Sequence, residues 1–133
     1  MGTEIWYIWV IAFVVAFGIL AIVYSLFADY KFRSTVARRP PLDDAQFIET
    51  FYNNSKIPSH IPLRLRPIYG KYFEIDPQKI HPNELPPDIG EFDTQPLVDA
   101  IEKEFEIKID DDEQERTTGE FGSIVKCIYR ITC

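Results

Sequence analysis

Twenty-three successive residues, Ile5 to Phe27, carry no charge; after them apolar positions recur three and four apart in short blocks separated by prolines and acids. The two patterns predict different elements. With a rise of about 1.5 Å per residue, a helix over the first block is roughly 35 Å long, enough to cross a hydrocarbon core of about 30 Å with some tilt. Trp6, Tyr7 and Trp9 lie at one end and Tyr24 and Tyr30 at the other, where amphipathic rings meet the headgroups. A cleaved signal peptide has a basic start and a shorter apolar stretch, whereas here Glu4 stands at the start. Ala12 and Ala16 make a small pair, but alanine is common in such helices and a passive anchor is the expectation.

Beyond the span, Phe32 to Leu42 reads as a basic juxtamembrane linker that Pro40 and Pro41 stiffen, holding the downstream domain off the surface. Asp43 and Asp44 can cap a helix carrying Phe47, Ile48, Phe51 and Tyr52, which Asn53, Asn54 and Ser55 break. Lys56 to Pro62 reads as loop. Pro62 to Phe73 reads as a helix that Pro67 starts or kinks and Gly70 weakens. Glu74 to Asp88, with four prolines, is a long loop holding one turn at Pro77 to Ile80; Ile75, Ile80 and Leu85 cover the core. Asp93 or Thr94 can cap the next helix, whose Leu97, Val98, Ile101 and Phe105 share one face while Asp99, Glu102, Glu104 and Glu106 point to solvent. Asp110 to Arg116 is an acidic turn or short helix. Thr117 and Glu120 have capping-box spacing ahead of a last helix with Phe121, Ile124, Val125 and Ile128 inward.

Charge adds direction. Glu4 is the only charge before the span, whereas Lys31, Arg33, Arg38 and Arg39 come after it against Asp29 alone, so the N-terminus is expected outside and the rest in the cytoplasm. No ionisable residue lies inside the span, so nothing there suggests an ion path. The net charge is −7, and Glu84 to Glu120 holds fourteen acids against Lys103, Lys108 and Arg116. That balance excludes nucleic acid as a partner. The reading is one anchor (1–30), one linker (31–42) and one cytoplasmic helical domain (43–133), too short for two cores.

Cys127 and Cys133 are too few for a disulfide framework, and Cys127 reads as core. Neither terminus fits a lipidation motif. Asp110 to Glu113 lacks the alternating ligands and glycine of a calcium loop, and His60 and His81 lack zinc-ligand spacing, so no metal is expected. No nucleophile–base pattern or phosphate loop occurs, so no enzyme is expected.

The stretch FDTQPLVDAIEKEFEIKIDDDEQERTTGEFGSIVKCI resembles the second half of an acyl carrier protein. From about residue 62 to 130 the same features come in the same order: a helix, a long loop with buried apolar residues, an acidic helix, an acidic turn and a Thr-capped closing helix. The resemblance implies an all-α fold, a single transmembrane helix followed by a small acyl-carrier-like bundle. In that family a D-S-L motif before the acidic helix carries phosphopantetheine on its Ser; here Gly90, Glu91 and Phe92 occupy those positions. Glu91 has no hydroxyl to esterify, and Thr94 lies one turn too late, so no cofactor is expected. The plain role for Glu91 is to offset the helix dipole, worth about 0.3 to 1 kcal/mol.

The family's acidic docking helix survives in Asp99, Glu102 and Glu106. The functional expectation is a membrane-tethered, non-enzymatic adaptor, or a small subunit of a membrane complex, that docks a basic protein partner through these three residues. The alternative is a genuine acyl or thioester carrier serving membrane-bound enzymes.

Overall fold

The computed structural model describes residues 2–84 and 95–133 and is all-helical there: one long apolar N-terminal helix is followed by smaller helices. They are α1 (Gly2–Ala37), α2 (Asp44–Phe51), α3 (His60–Phe73), α4 (Gln95–Phe105), α5 (Asp111–Arg116) and α6 (Phe121–Thr132), with one 3₁₀ turn at Pro77–Lys79. The expected residues Leu85, Glu91, Asp93 and Thr94 lie outside the described residues.

α1 is long and apolar enough to cross a membrane, and none of its apolar window is buried by the rest of the chain. It is therefore not the core helix of a soluble domain. Exposure of Phe13 at 72% and Trp9 at 71%, among many such neighbours, is a surface that water does not favour.

The helix does not stop where a linker was expected. It continues to Ala37, because residues 31–37 contain no breaker and the prolines begin only at Pro40. Two contacts hold the extension locally: Arg33 pairs with Asp29 one turn back at 3.2 Å, and the Thr35 hydroxyl donates to the Lys31 carbonyl at 2.8 Å. The bundle fixes it as well. Val36 is buried, Arg33 donates to the Glu74 carbonyl at 3.2 Å, and Lys79 Nζ donates to the Ala37 carbonyl at 3.0 Å. Arg39 donates to the Lys79 carbonyl at 3.1 Å and pairs with Glu84. Residues 31–42 are thus a continuation of the anchor helix that packs on the domain, and not a spacer that lifts it.

α2 begins as its spacing predicts: Asp43 accepts from Gln46 N at 2.8 Å and Gln46 Oε1 accepts from Asp43 N at 3.0 Å, closing a capping box. α3 starts at His60, two residues earlier than expected, so the loop before it is shorter. Pro67 lies inside α3 on its exposed side, where its ring avoids the core and solvent can take up the freed carbonyl. Gly70 has a different role from the weakening expected of it. A Cβ there would lie 2.7 Å from the Ile75 carbonyl and 2.9 Å from the Pro77 ring, so the chain can turn back across α3 only over a residue without a side chain. Glu74, at φ 55°, ends the helix in the left-handed region, and the Gly70 carbonyl accepts from both Glu74 N and Ile75 N.

α3 is the hub on which α4, α6 and the 3₁₀ turn pack. The core joins Phe47 of α2, Ile61, Leu65 and Tyr69 of α3, Leu97, Val98, Ile101 and Phe105 of α4, and Phe121, Ile124, Val125, Cys127 and Ile128 of α6. Phe121 stands edge-on to Phe47 at 5.8 Å and to Tyr69 at 5.4 Å, geometries that favour aromatic pairs. The Tyr69 hydroxyl is satisfied by the Gly119 carbonyl at 2.9 Å.

The closing helix starts differently from its predicted capping box. Thr117 instead caps the C-terminus of α5, with its buried hydroxyl donating to the Glu113 carbonyl at 2.6 Å. Glu120 is the N-cap of α6 without a side-chain cap bond, and Ser123 Oγ accepts from Thr118 N at 2.9 Å.

Candidate functional site

The acidic helix α4 is amphipathic: Leu97, Val98, Ile101 and Phe105 are buried at i, i+1, i+4 and i+8, which leaves its carboxylates on the remaining arc. The structure gives those carboxylates unequal roles. Asp99 is exposed and accepts from Gln95 Nε2 at 2.7 Å, one turn back. Glu102 is half-buried and turned along the helix, where its Oε2 accepts from Ile109 N at 2.8 Å. That bond fastens the reversal after α4, so Glu102 is a structural clasp before it is a docking group. Glu104 pairs with Arg64 of α3 at 3.1 Å, and the Arg64 guanidinium lies 4.9 Å from the Phe105 ring.

Glu106 is exposed and lies just past the end of α4, with φ 54°. The left-handed turn there lets Ile107 N reach back to the Glu102 carbonyl at 3.1 Å. Of the three predicted docking residues, Asp99 and Glu102 stand one turn apart on the helix and Glu106 lies beyond it; Asp99 and Glu106 are the two turned fully to solvent. Glu91, the position matching a prosthetic-group serine, is outside the described residues.

A cavity of about 470 Å³ is the feature that periodicity did not announce. Its walls come from three separated segments, chiefly Phe51, Tyr52, Ile57, Pro82, Ser123 and Lys126. The Tyr52 hydroxyl is buried without a hydrogen-bond partner among the described residues, and burial pushes its pKa up to about 12. Gly122 is part of the same wall; its N–H donates to the Pro82 carbonyl at 2.9 Å, and a Cβ there would crowd that carbonyl at 3.1 Å.

Among the described residues, no three His, Cys, Asp or Glu side chains converge as a metal site. His81 packs against the Phe51 ring at 5.3 Å, and burial, helped by the Arg39 charge, holds its pKa down. Cys127 is fully buried and burial raises its thiol, the opposite of the lowering that makes a nucleophilic thiolate. Cys133 is exposed. No family model, no curated protein and no solved structure matches this chain.

Proposed function

We propose that the chain is a membrane-tethered, non-enzymatic adaptor or small subunit of a membrane complex, in which α1 crosses the bilayer and the acyl-carrier-like bundle presents α4 to a basic protein partner. The observation that carries this reading is the division of α4: its whole apolar stripe is committed to the core, yet Asp99 and Glu106 remain outward within a strongly acidic segment. Charge of one sign on a fixed helix favours association with a partner of the other sign, and the affinity falls as salt shortens the screening length. The order of α3, a long connection, acidic α4, short acidic α5 and amphipathic α6 supports the likeness to a carrier protein. Glu91 in place of the serine argues for a binding role without the prosthetic arm.

The test is gentle detergent extraction and then identification of the proteins that copurify. Replacing Asp99→Lys and Glu106→Lys together is expected to lower partner recovery at least tenfold while leaving helical content and membrane fractionation unchanged. Glu102 is best left in place, because its loss would loosen the turn at Ile109 and confuse docking with folding. Full recovery of the partner with the double variant would move the interface to α1 or the proline-rich loop.

The orientation is set by the basic excess after the span, which acts during insertion whatever ion pairs form later. Cys133 is expected to lie in the cytoplasm, so a membrane-impermeant thiol reagent should label it in lysed cells and not in intact ones. Equal labelling of both would reverse the topology.

A further inference from the structure

The continuity of α1 with the bundle sets the height of the bundle over the bilayer, an argument that rests on the reading of α1 as the membrane anchor. Arg33 lies six residues past Phe27, about 9 Å further along the helix. Because Arg33 donates to the Glu74 carbonyl, the corner where α3 ends is held at about that height, next to the headgroup layer. Side chains on a helix tilt toward its N-terminus, which for α1 is the bilayer, and long cationic side chains reach further in that direction.

The basic residues near this corner fall into two sets. Arg33, Arg39 and Lys79 are occupied by Asp29, Glu84 and backbone carbonyls. Lys31, Arg38 and Lys71 are exposed and make no ion pair among the described residues. Lys31 and Arg38 are seven residues apart, so they lie on one stripe of α1, and Lys71 is in the last turn of α3, just before Glu74. The acidic elements α4 and α5 lie elsewhere: among the described residues the polar contacts between α1 and the bundle go to residues 74–84, and α4 packs on α3.

We infer that the end of α1 and the adjoining corner of α3 form a seat for anionic phospholipid headgroups, with Lys31, Arg38 and Lys71 facing the phosphates. An anionic leaflet attracts this corner and repels the acidic stretch after residue 95, so the same lipids that fill the seat turn α4 and α5 away from the membrane.

The experiment reconstitutes the full chain in phosphatidylcholine vesicles carrying a trace of spin-labelled phosphatidylglycerol or spin-labelled phosphatidylcholine, and measures the motionally restricted fraction of each by electron paramagnetic resonance. At low ionic strength the anionic label should be favoured by about fivefold, the attraction expected of one cation held at the surface. About 1 M salt, where the screening length is near 3 Å, should bring the ratio toward one. Lys31→Gln with Arg38→Gln should do the same, and Lys71→Gln should remove part of the preference. All three side chains are exposed, so unfolding of the variants is expected to match the parent. Equal restriction of both labels, or a double variant that keeps the preference, overturns the seat; an unaltered ratio in Lys71→Gln overturns the part given to the bundle. If neither label is restricted, the anchor reading itself has failed.

Discussion

Removing residues 1–30 should move the chain completely from membranes to the soluble fraction as a folded helical domain, whereas removing residues 1–42 should leave a chain that aggregates or fails to fold. The first truncation takes away the only long apolar block and keeps Val36, Arg39 and Leu42. The second removes buried Val36, both Arg39 contacts, and the Ala37 carbonyl that Lys79 uses. It also removes the Leu42 N–H that donates to the Gln78 carbonyl at 2.9 Å and the Leu42 carbonyl that accepts from Arg66 at 2.7 Å. Burial of one valine is worth about 1.5 kcal/mol, and each hydrogen bond about 1 kcal/mol. Together these approach the roughly 5 kcal/mol at the lower end of small-domain stability. Fractionation of both truncations, with circular dichroism of the soluble material, checks the contrast. Two equally well-folded soluble products would restore the linker reading of residues 31–42.

Arg66→Ala is the single substitution expected to cost most. The side chain is 3% exposed. Its Nε donates to the Pro77 carbonyl at 3.0 Å, Nη1 to Asp44 Oδ1 at 3.0 Å and Nη2 to the Leu42 carbonyl at 2.7 Å. The guanidinium also lies 4.4 Å from the Phe47 ring. One planar fork thus ties together α2, α3, the segment after α1 and the 3₁₀ turn. Burial pulls its pKa down, and Asp44 with Asp76 and Asp43 works against that pull. Removing it strands several acceptors, at a cost of about 3 to 5 kcal/mol. Urea unfolding monitored by near-ultraviolet circular dichroism should show the loss, and Arg66→Lys should recover less than half of it, because an ammonium cannot reproduce the fork. A variant Arg66→Ala as stable as the parent would show that these bonds contribute little.

The parts of this fold that periodicity encodes were legible. The inward faces of α4 and α6 are the residues predicted from their spacing, because a 3.6-residue repeat of apolar side chains can be buried only on one side. Asp43 announced its own cap. What failed to show in the sequence depends on contacts across the chain. Residues 31–37 look like a polar linker until Val36 is seen to pack on the bundle. Arg66 looks like a solvent-facing charge until its three acceptors arrive from two other segments. Thr117 and Glu120 have the spacing of a capping box, but the Thr117 hydroxyl is taken by the preceding helix.

The candidate site shows the same division. That α4 would be acidic outside and apolar inside could be read directly. That Glu102 would be drawn into the turn at Ile109 depends on the left-handed residue Glu106, which no pattern of apolar positions signals. The cavity beside Tyr52 was hidden for a related reason, since its walls come from stretches that no local repeat connects.

The central claim is that the membrane helix and the bundle are one continuous body. Amide hydrogen exchange of the full chain in lipid vesicles measures it directly at residues 31–37. The account predicts slow exchange there, comparable to that of α6, since these amides are helical and Val36 is packed. Exchange at the rate of an unstructured peptide through that stretch, with α6 still protected, would contradict it.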